Sequence, residues 1–319
     1  MTERPGYVDL QVNGVGPVDF STAAGDEWIA AGTHLRAAGV TGYLPTICSM
    51  PRDRYAPALA RVRAARDARP AGLPEILGVH LEGPFLGGAL GAHPARVVGP
   101  VELDWLLGLL DAFPGLVRLV TLAPEADPGL EGTRALVARG VVVALGHSAC
   151  TYDDAVAAAA AGATLTTHLF NGMGPLHQRA PGIIGAALDP RVPLRPTLIG
   201  DLVHVHPALV ATVFAAGEPI LVSDAVATGV EYFDATVTES AGAAYLPDGT
   251  LTGGVILLDT AVRNVAGLGV DPALACAAAS DRPAAVLGLD RAPGRIELDD
   301  TLTIRAVTLD GEWFYGPES

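Results

Sequence analysis

VVVALGHSACTYDDAVAAAAAGATLTTHL, residues 141–169, decides how the whole chain is read. Two apolar, β-branched runs, VVVALGH (141–147) and ATLTTHL (163–169), flank an alanine-rich helical stretch, TYDDAVAAAAAG (151–162). Each run ends in a polar segment that carries a histidine. Parallel strands need a crossover of this kind, and a sheet covered by its crossover helices buries both faces, so its strands read as continuous apolar runs. Working outward, comparable runs recur at YVDLQVN (7–13), VTGYLPT (40–46), ILGVHLE (76–82), VRLVTL (117–122), RPTLIGD (195–201) and PILVSDA (219–225). Helical stretches such as VELDWLLGLLDAF separate them. Eight strand–helix units predict an α/β fold, a (β/α)8 TIM barrel, with an open doubly wound sheet as the alternative.

From about residue 290 the pattern changes. GRIELDDTLTIRAVTLDGEWFYG (294–316) has short alternating runs and turn-forming DD and DG pairs, the marks of antiparallel strands. The expected organisation is one barrel over residues 1–289 and a short β-rich tail over 290–319. Half of the 319 residues are apolar and only 17% are charged, as one large buried core requires. A net charge of −15 disfavours nucleic acid and anionic membrane as partners, so an anionic small substrate must find a local cationic pocket. Three scattered cysteines, Cys48, Cys150 and Cys276, do not make a disulfide framework and fit a reducing compartment. No signal-like start and no run of ~18 apolar residues is present, so a cytoplasmic location is expected.

Polar residues fall at the ends of the apolar runs. Glu82 closes the third, His147 the fifth and His168 lies near the end of the sixth, while Asp224 lies near the end of the eighth. A barrel gathers those ends on its C-terminal face, where barrel enzymes build their sites. Two histidines and a carboxylate suit Zn2+ or Fe2+ with positions left for water and substrate, and a further aspartate can move protons. Taken singly, such a His or Glu is more often a hydrogen-bonded structural residue; their joint placement carries the functional reading.

At HLEGPFL (80–86), GHS (146–148), THLFNGM (167–173) and SDA (223–225) the chain resembles the N-acetylglucosamine-6-phosphate deacetylases of the amidohydrolase superfamily. The likeness continues through PGYVDLQVNG (5–14), GAH (91–93), RAPGIIGA (179–186), LIGDLVHVHP (198–207) and GTLTGG (249–254). The resemblance implies that Glu82, His147 and His168 hold one divalent metal, Zn2+ or Fe2+, and that Asp224 is the general base and acid. Gln11 is a further ligand candidate, or equally a hydrogen-bonding residue in the barrel mouth. Ala92 and His93 match the sugar- and acetamide-binding segment, with His93 orienting the amide carbonyl. Asn171 and Gly172 match a phosphate-contacting turn, Arg179 and His204 further phosphate contacts, and Leu251, Thr252 and Gly253 a loop lining the sugar.

The resemblance implies metal-assisted hydrolysis of N-acetylglucosamine 6-phosphate to glucosamine 6-phosphate and acetate, by a homodimer in which Arg179 or His204 acts across the interface. The chain departs from the family in lacking the β-strands that usually precede the first barrel strand, in a shortened tail, and in Ala180 at a commonly acidic place. Rival readings are another superfamily N-acyl hydrolase or a deaminase, against which Asn171, Arg179 and His204 argue, and a noncatalytic relative.

Overall fold

In this computed structural model, which describes residues 1–232 and 235–315, a short strand β1 (Thr2–Pro5) precedes eight inner strands. These are β2 (Tyr7–Val12), β3 (Val40–Cys48), β4 (Val79–Glu82), β5 (Val117–Leu122), β6 (Val142–Leu145), β7 (Leu165–Thr166), β8 (Arg195–Ile199) and β9 (Ile220–Val222). They pair in sequence order, every pair parallel. The ring closes where Val12 bridges Ala225, with Asp224 N donating to Gln11 O at 2.9 Å and Asn13 N to Ala225 O at 2.7 Å. The eight apolar runs are thus the eight strands of a TIM barrel.

The interior is filled on one side by Val8, Leu10, Leu44, Leu119, Leu165, Ile199, Ile220 and Val222, and closed from below by Ala284 and Leu287. A larger cluster lies between the strands and the covering helices. Each buried Leu or Ile side chain contributes roughly 1.5–3 kcal/mol. The alanine-rich stretch forms helix α1 (Tyr152–Ala160), the crossover between β6 and β7. It starts at Thr151 because Thr151 Oγ1 accepts from Asp154 N at 3.2 Å while Asp154 Oδ2 accepts from Thr151 N at 3.1 Å, a reciprocal cap of about 1 kcal/mol. Its inner face is Ala155, Ala158 and Ala159, which lets the helix lie close to the sheet.

Two features were not legible in the sequence. After β9 the chain makes an antiparallel excursion, β10 (Thr238–Ser240), β11 (Ala243–Tyr245) and β12 (Leu251–Gly254). Gly254 N donates to Asp224 O at 2.8 Å, so the excursion is tied to the barrel mouth. Its strands are only three or four residues long, which leaves little alternation to read. The tail forms β13 (Arg295–Leu298), β14 (Ile304–Leu309) and β15 (Glu312–Tyr315), antiparallel as expected, but the sheet has a fourth strand: β1 pairs with β13, Thr2 opposite Leu298. Residues 2–5, counted with the barrel in the sequence reading, therefore belong to the tail sheet. TERP is charged and ends in proline, so only its partner makes it a strand. Arg69 binds Asp310 through two bonds of 2.8 and 2.9 Å and fastens this sheet to the barrel. Among the described residues no helix is long and apolar enough to cross a membrane.

Candidate active site

Glu82 is the last residue of β4, and its Oε1 lies 3.0 Å from His147 Nε2 and 2.9 Å from His168 Nε2. The two Nε2 atoms are 3.1 Å apart, and all three side chains are buried. His147 stands two residues past the end of β6, His168 two past β7 and Asp224 two past β9, with φ of 49°, 31° and 48°. Left-handed backbone at a non-glycine residue costs on the order of 1–3 kcal/mol, and such strain clusters where side chains must be aimed. Here it turns three side chains over the barrel mouth.

A divalent cation fits this cluster. Zinc ligands at roughly 2.1 Å and mutual angles near 90–110° lie about 3.0–3.4 Å apart, close to the separations observed. Two imidazole nitrogens facing each other and one shared carboxylate oxygen need a positive charge among them. Although burial opposes it, Glu82 pushes His168 up to about 9, and the two imidazoles hold Glu82 well below the usual carboxylate range despite its own burial. His147 Nδ1 donates to Ala89 O at 3.3 Å, which leaves its Nε2 lone pair aimed at the cluster. His168 Nδ1 is buried without a partner.

Asp224 stands beside this group. Its Oδ1 accepts from Gln11 Nε2 at 3.0 Å and Asn13 Nδ2 at 2.8 Å. Burial, then the neighbouring Glu82 charge, pushes Asp224 up to about 7. Gln11 Nε2 also donates to Glu82 Oε1 at 3.0 Å. The Gln11 amide nitrogen thus lies between two carboxylates, as expected of the hydrogen-bonding reading of this residue. His93 Nδ1 is 2.9 Å from Ser49 Oγ, its ring packs edge-on to His147 at 4.3 Å, and burial lowers it to about 3, so it is a neutral imidazole.

One cavity of about 280 Å3 contains Glu82, Ala92, His93, His147, His168, Asn171, Gly172, His204, Asp224, Leu251, Thr252 and Gly253 in its wall. These are all the sequence-derived site residues except Gln11, which sits behind the wall, and Arg179. Arg179 is exposed and lines a separate cavity of about 1000 Å3 with Tyr152, His177 and Arg191. Within one chain, then, Arg179 does not belong to the central cavity: the segment between β7 and the next helix (Gly182–Leu188) carries it outward. His204 Nδ1 lies 2.6 Å from Asp201 Oδ2, and its Nε2 is buried without a partner at the cavity wall. Burial works against ionisation of Asp201, but the bonds from His204 hold its pKa below the usual value.

Sequence reasoning missed Asn13, Ser49, Asp201 and Glu125. Glu125 accepts from Gly88 N at 2.9 Å, Ala149 N at 2.7 Å and Ser148 Oγ at 2.6 Å, and so joins the loop leading to His93 to the turn after His147. Asp201 carried a signal, an acid three residues before His204 at a strand end. Glu125 carried none, since its partners are mostly backbone.

Comparison with known proteins gives a consistent picture. No protein-family model matches the chain. The chain is 37% identical to the N-acetylglucosamine-6-phosphate deacetylase of Bos taurus over 97% of its own length and 82% of that protein's. It is 35% identical to the N-acetylgalactosamine-6-phosphate deacetylase of Escherichia coli O157:H7, over 97% of its length and 86% of the relative's. Among solved structures, a mutant N-acetyl-D-glucosamine-6-phosphate deacetylase from Mycobacterium smegmatis in complex with N-acetyl-D-glucosamine-6-phosphate superposes with a TM-score of 0.88 at 33% identity, covering 98% of this chain and 86% of that one.

Proposed function

Because this chain belongs to the N-acetylglucosamine-6-phosphate deacetylase family, we propose that it hydrolyses the acetamide of N-acetylglucosamine 6-phosphate to give glucosamine 6-phosphate and acetate. The observation that carries this reading is the convergence of Glu82, His147, His168 and Asp224 on one 280 Å3 cavity at the C-terminal barrel mouth. Glu82, His147 and His168 hold one divalent ion, Zn2+ or Fe2+; when bound, such an ion acidifies a water molecule and polarises an amide carbonyl.

The chain's own residues supply the rest. Asp224 has Oδ1 tied up by Gln11 and Asn13, which leaves Oδ2 to take a proton from the attacking water and return it to the departing nitrogen. A carboxyl group held near neutrality suits both halves of that transfer, which is worth about 10²–10⁴ in rate. His93, kept neutral by burial and oriented by Ser49, donates a hydrogen bond to the carbonyl oxygen as negative charge develops there. His204, positioned by Asp201, turns its unpartnered Nε2 toward the phosphate, with Asn171 and the Gly172 backbone beside it. Ala92, Leu251, Thr252 and Gly253 line the sugar. Arg179, exposed on its own face, serves the phosphate from a neighbouring copy in a homodimer.

The small sheet of β1 and β13–β15 stands as a remnant of a β-sandwich domain, with the barrel that begins at β2 as the catalytic unit. A reducing, cytoplasmic setting suits the three buried thiols. A second substrate has a specific observation in its favour: the Escherichia coli relative, named for the galacto epimer, is as similar as several gluco relatives.

The test is acetate release by metal-loaded protein from N-acetylglucosamine 6-phosphate, N-acetylgalactosamine 6-phosphate and unphosphorylated N-acetylglucosamine. Fast release from the gluco phosphate and slow release from the free sugar are expected. A higher kcat/KM on the galacto phosphate would move the assignment to that epimer. Equal rates with and without phosphate would remove the phosphate role.

A further inference from the structure

Glu82 turns its two carboxylate oxygens toward two different sets of atoms. Oε1 faces His147, His168 and Gln11, whereas Oε2 lies 3.4 Å from Cys48 Sγ. Cys48 is the last residue of β3 and the register partner of Glu82 on β4, so the pleat sends both side chains to the same face. His93 approaches from the loop after β4. With its Nδ1 bonded to Ser49, Nε2 is the nitrogen left for a further partner. The ligand atoms of Cys48, Glu82 and His93 all lie within 4.8 Å of one another, and all three residues are buried.

We propose that Cys48, Glu82 and His93 form a second metal site, for a thiophilic divalent cation such as Zn2+, with Glu82 bridging it to the His147–His168 site. A thiolate, a carboxylate and an imidazole are a set that zinc favours over magnesium or calcium. Zinc held tetrahedrally, about 2.3 Å from sulfur and about 2.0–2.2 Å from oxygen, places those two ligands roughly 3.5–3.7 Å apart, near the observed 3.4 Å. On binding, the Cys48 thiol releases its proton to solvent and the thiolate takes the cation. The thiol now lies 3.1 Å from Asn13 Oδ1, which gives that proton an acceptor before the ion arrives. Neutral His93 contributes its Nε2 lone pair and carries its proton on Nδ1, which donates a hydrogen bond to Ser49 Oγ. That tautomer no longer donates from Nε2, so a second ion withdraws His93 from the substrate carbonyl. The site is therefore inhibitory.

The test is a titration of the whole, metal-stripped protein with Co2+ and, separately, with Zn2+. Two ions per chain are expected to bind the wild type. The second cobalt brings a thiolate-to-cobalt charge-transfer band in the near ultraviolet that the first does not. Cys48→Ser binds a single ion and lacks the band. The proposal is overturned if the wild type saturates at one ion, if the band never develops, or if Cys48→Ser keeps a second ion. The wild-type arm stands even if the variant does not fold. Acetate release at one equivalent of metal reports the deacetylase reading separately, and a several-fold fall in that rate at the second equivalent marks the site as inhibitory.

Discussion

The central cavity and the face around Arg179 both follow strand ends of the same barrel, yet they are built on opposite plans. In the cavity, Glu82, His147, His168 and Asp224 are buried, and several are fixed through strained backbone or through Gln11, Asn13 and the strand register. Around Arg179, residues 175–180 run over the surface as exposed side chains. The comparison separates two tasks. Chemistry needs donors set within tenths of an ångström, which strand ends supply; charge recognition by an arginine tolerates a loop, and a loop can be completed by a second copy.

The sharpest way to break this contrast is His168→Ala. Losing one of three ligands is expected to abolish metal retention and reduce turnover by at least about 10²-fold, seen by metal analysis beside acetate release. A fully active, metal-replete variant would remove the cluster from the chemistry. Next in size is Arg179→Ala, expected to raise KM for the phosphorylated sugar roughly 10–100-fold, the worth of a charge-assisted hydrogen bond, and to leave the unphosphorylated sugar unchanged. Mixing Arg179→Ala chains with Asp224→Asn chains should restore part of the turnover if the arginine acts in trans, and none if it acts within its own chain.

A third experiment sharpens the electrostatic side. Asp224 has a folded value of about 7 against 3.8 ordinarily, so the native state binds its proton more tightly than the unfolded chain does. Its contribution is complete below about pH 4 and is lost as the pH rises through about 7. Denaturant unfolding of metal-free protein should therefore show the wild type losing up to a few kcal/mol relative to Asp224→Asn between pH 4 and pH 8. A difference that stays flat across that range would contradict the burial argument. The smallest effect is expected far from both regions: Arg69→Ala frees Asp310 of the tail sheet, costs about 1 kcal/mol or less, and leaves turnover unchanged.

The barrel was legible because each parallel strand is buried on both faces and so writes an uninterrupted apolar run. The cluster of Glu82, His147 and His168 was legible for a related reason: a Glu or His near the end of such a run is conspicuous. The excursion at 238–254 and strand β1 were not, because their pairing comes from partners far away in sequence and their own residues carry little propensity. The sequence named Arg179 but could not place it, since a loop's path depends on what it packs against. Asn13 and Ser49 hydrogen-bond Asp224 and His93, a relation visible once the strands are side by side.

The central claim is that the buried carboxyl group of Asp224 moves the protons while Glu82, His147 and His168 hold the metal. Its most direct test is acetate release from N-acetylglucosamine 6-phosphate by Asp224→Asn and wild type loaded to the same metal content. A loss of about 10²–10⁴ in kcat with metal binding intact is expected. Turnover within a few-fold of wild type at equal metal content would contradict it.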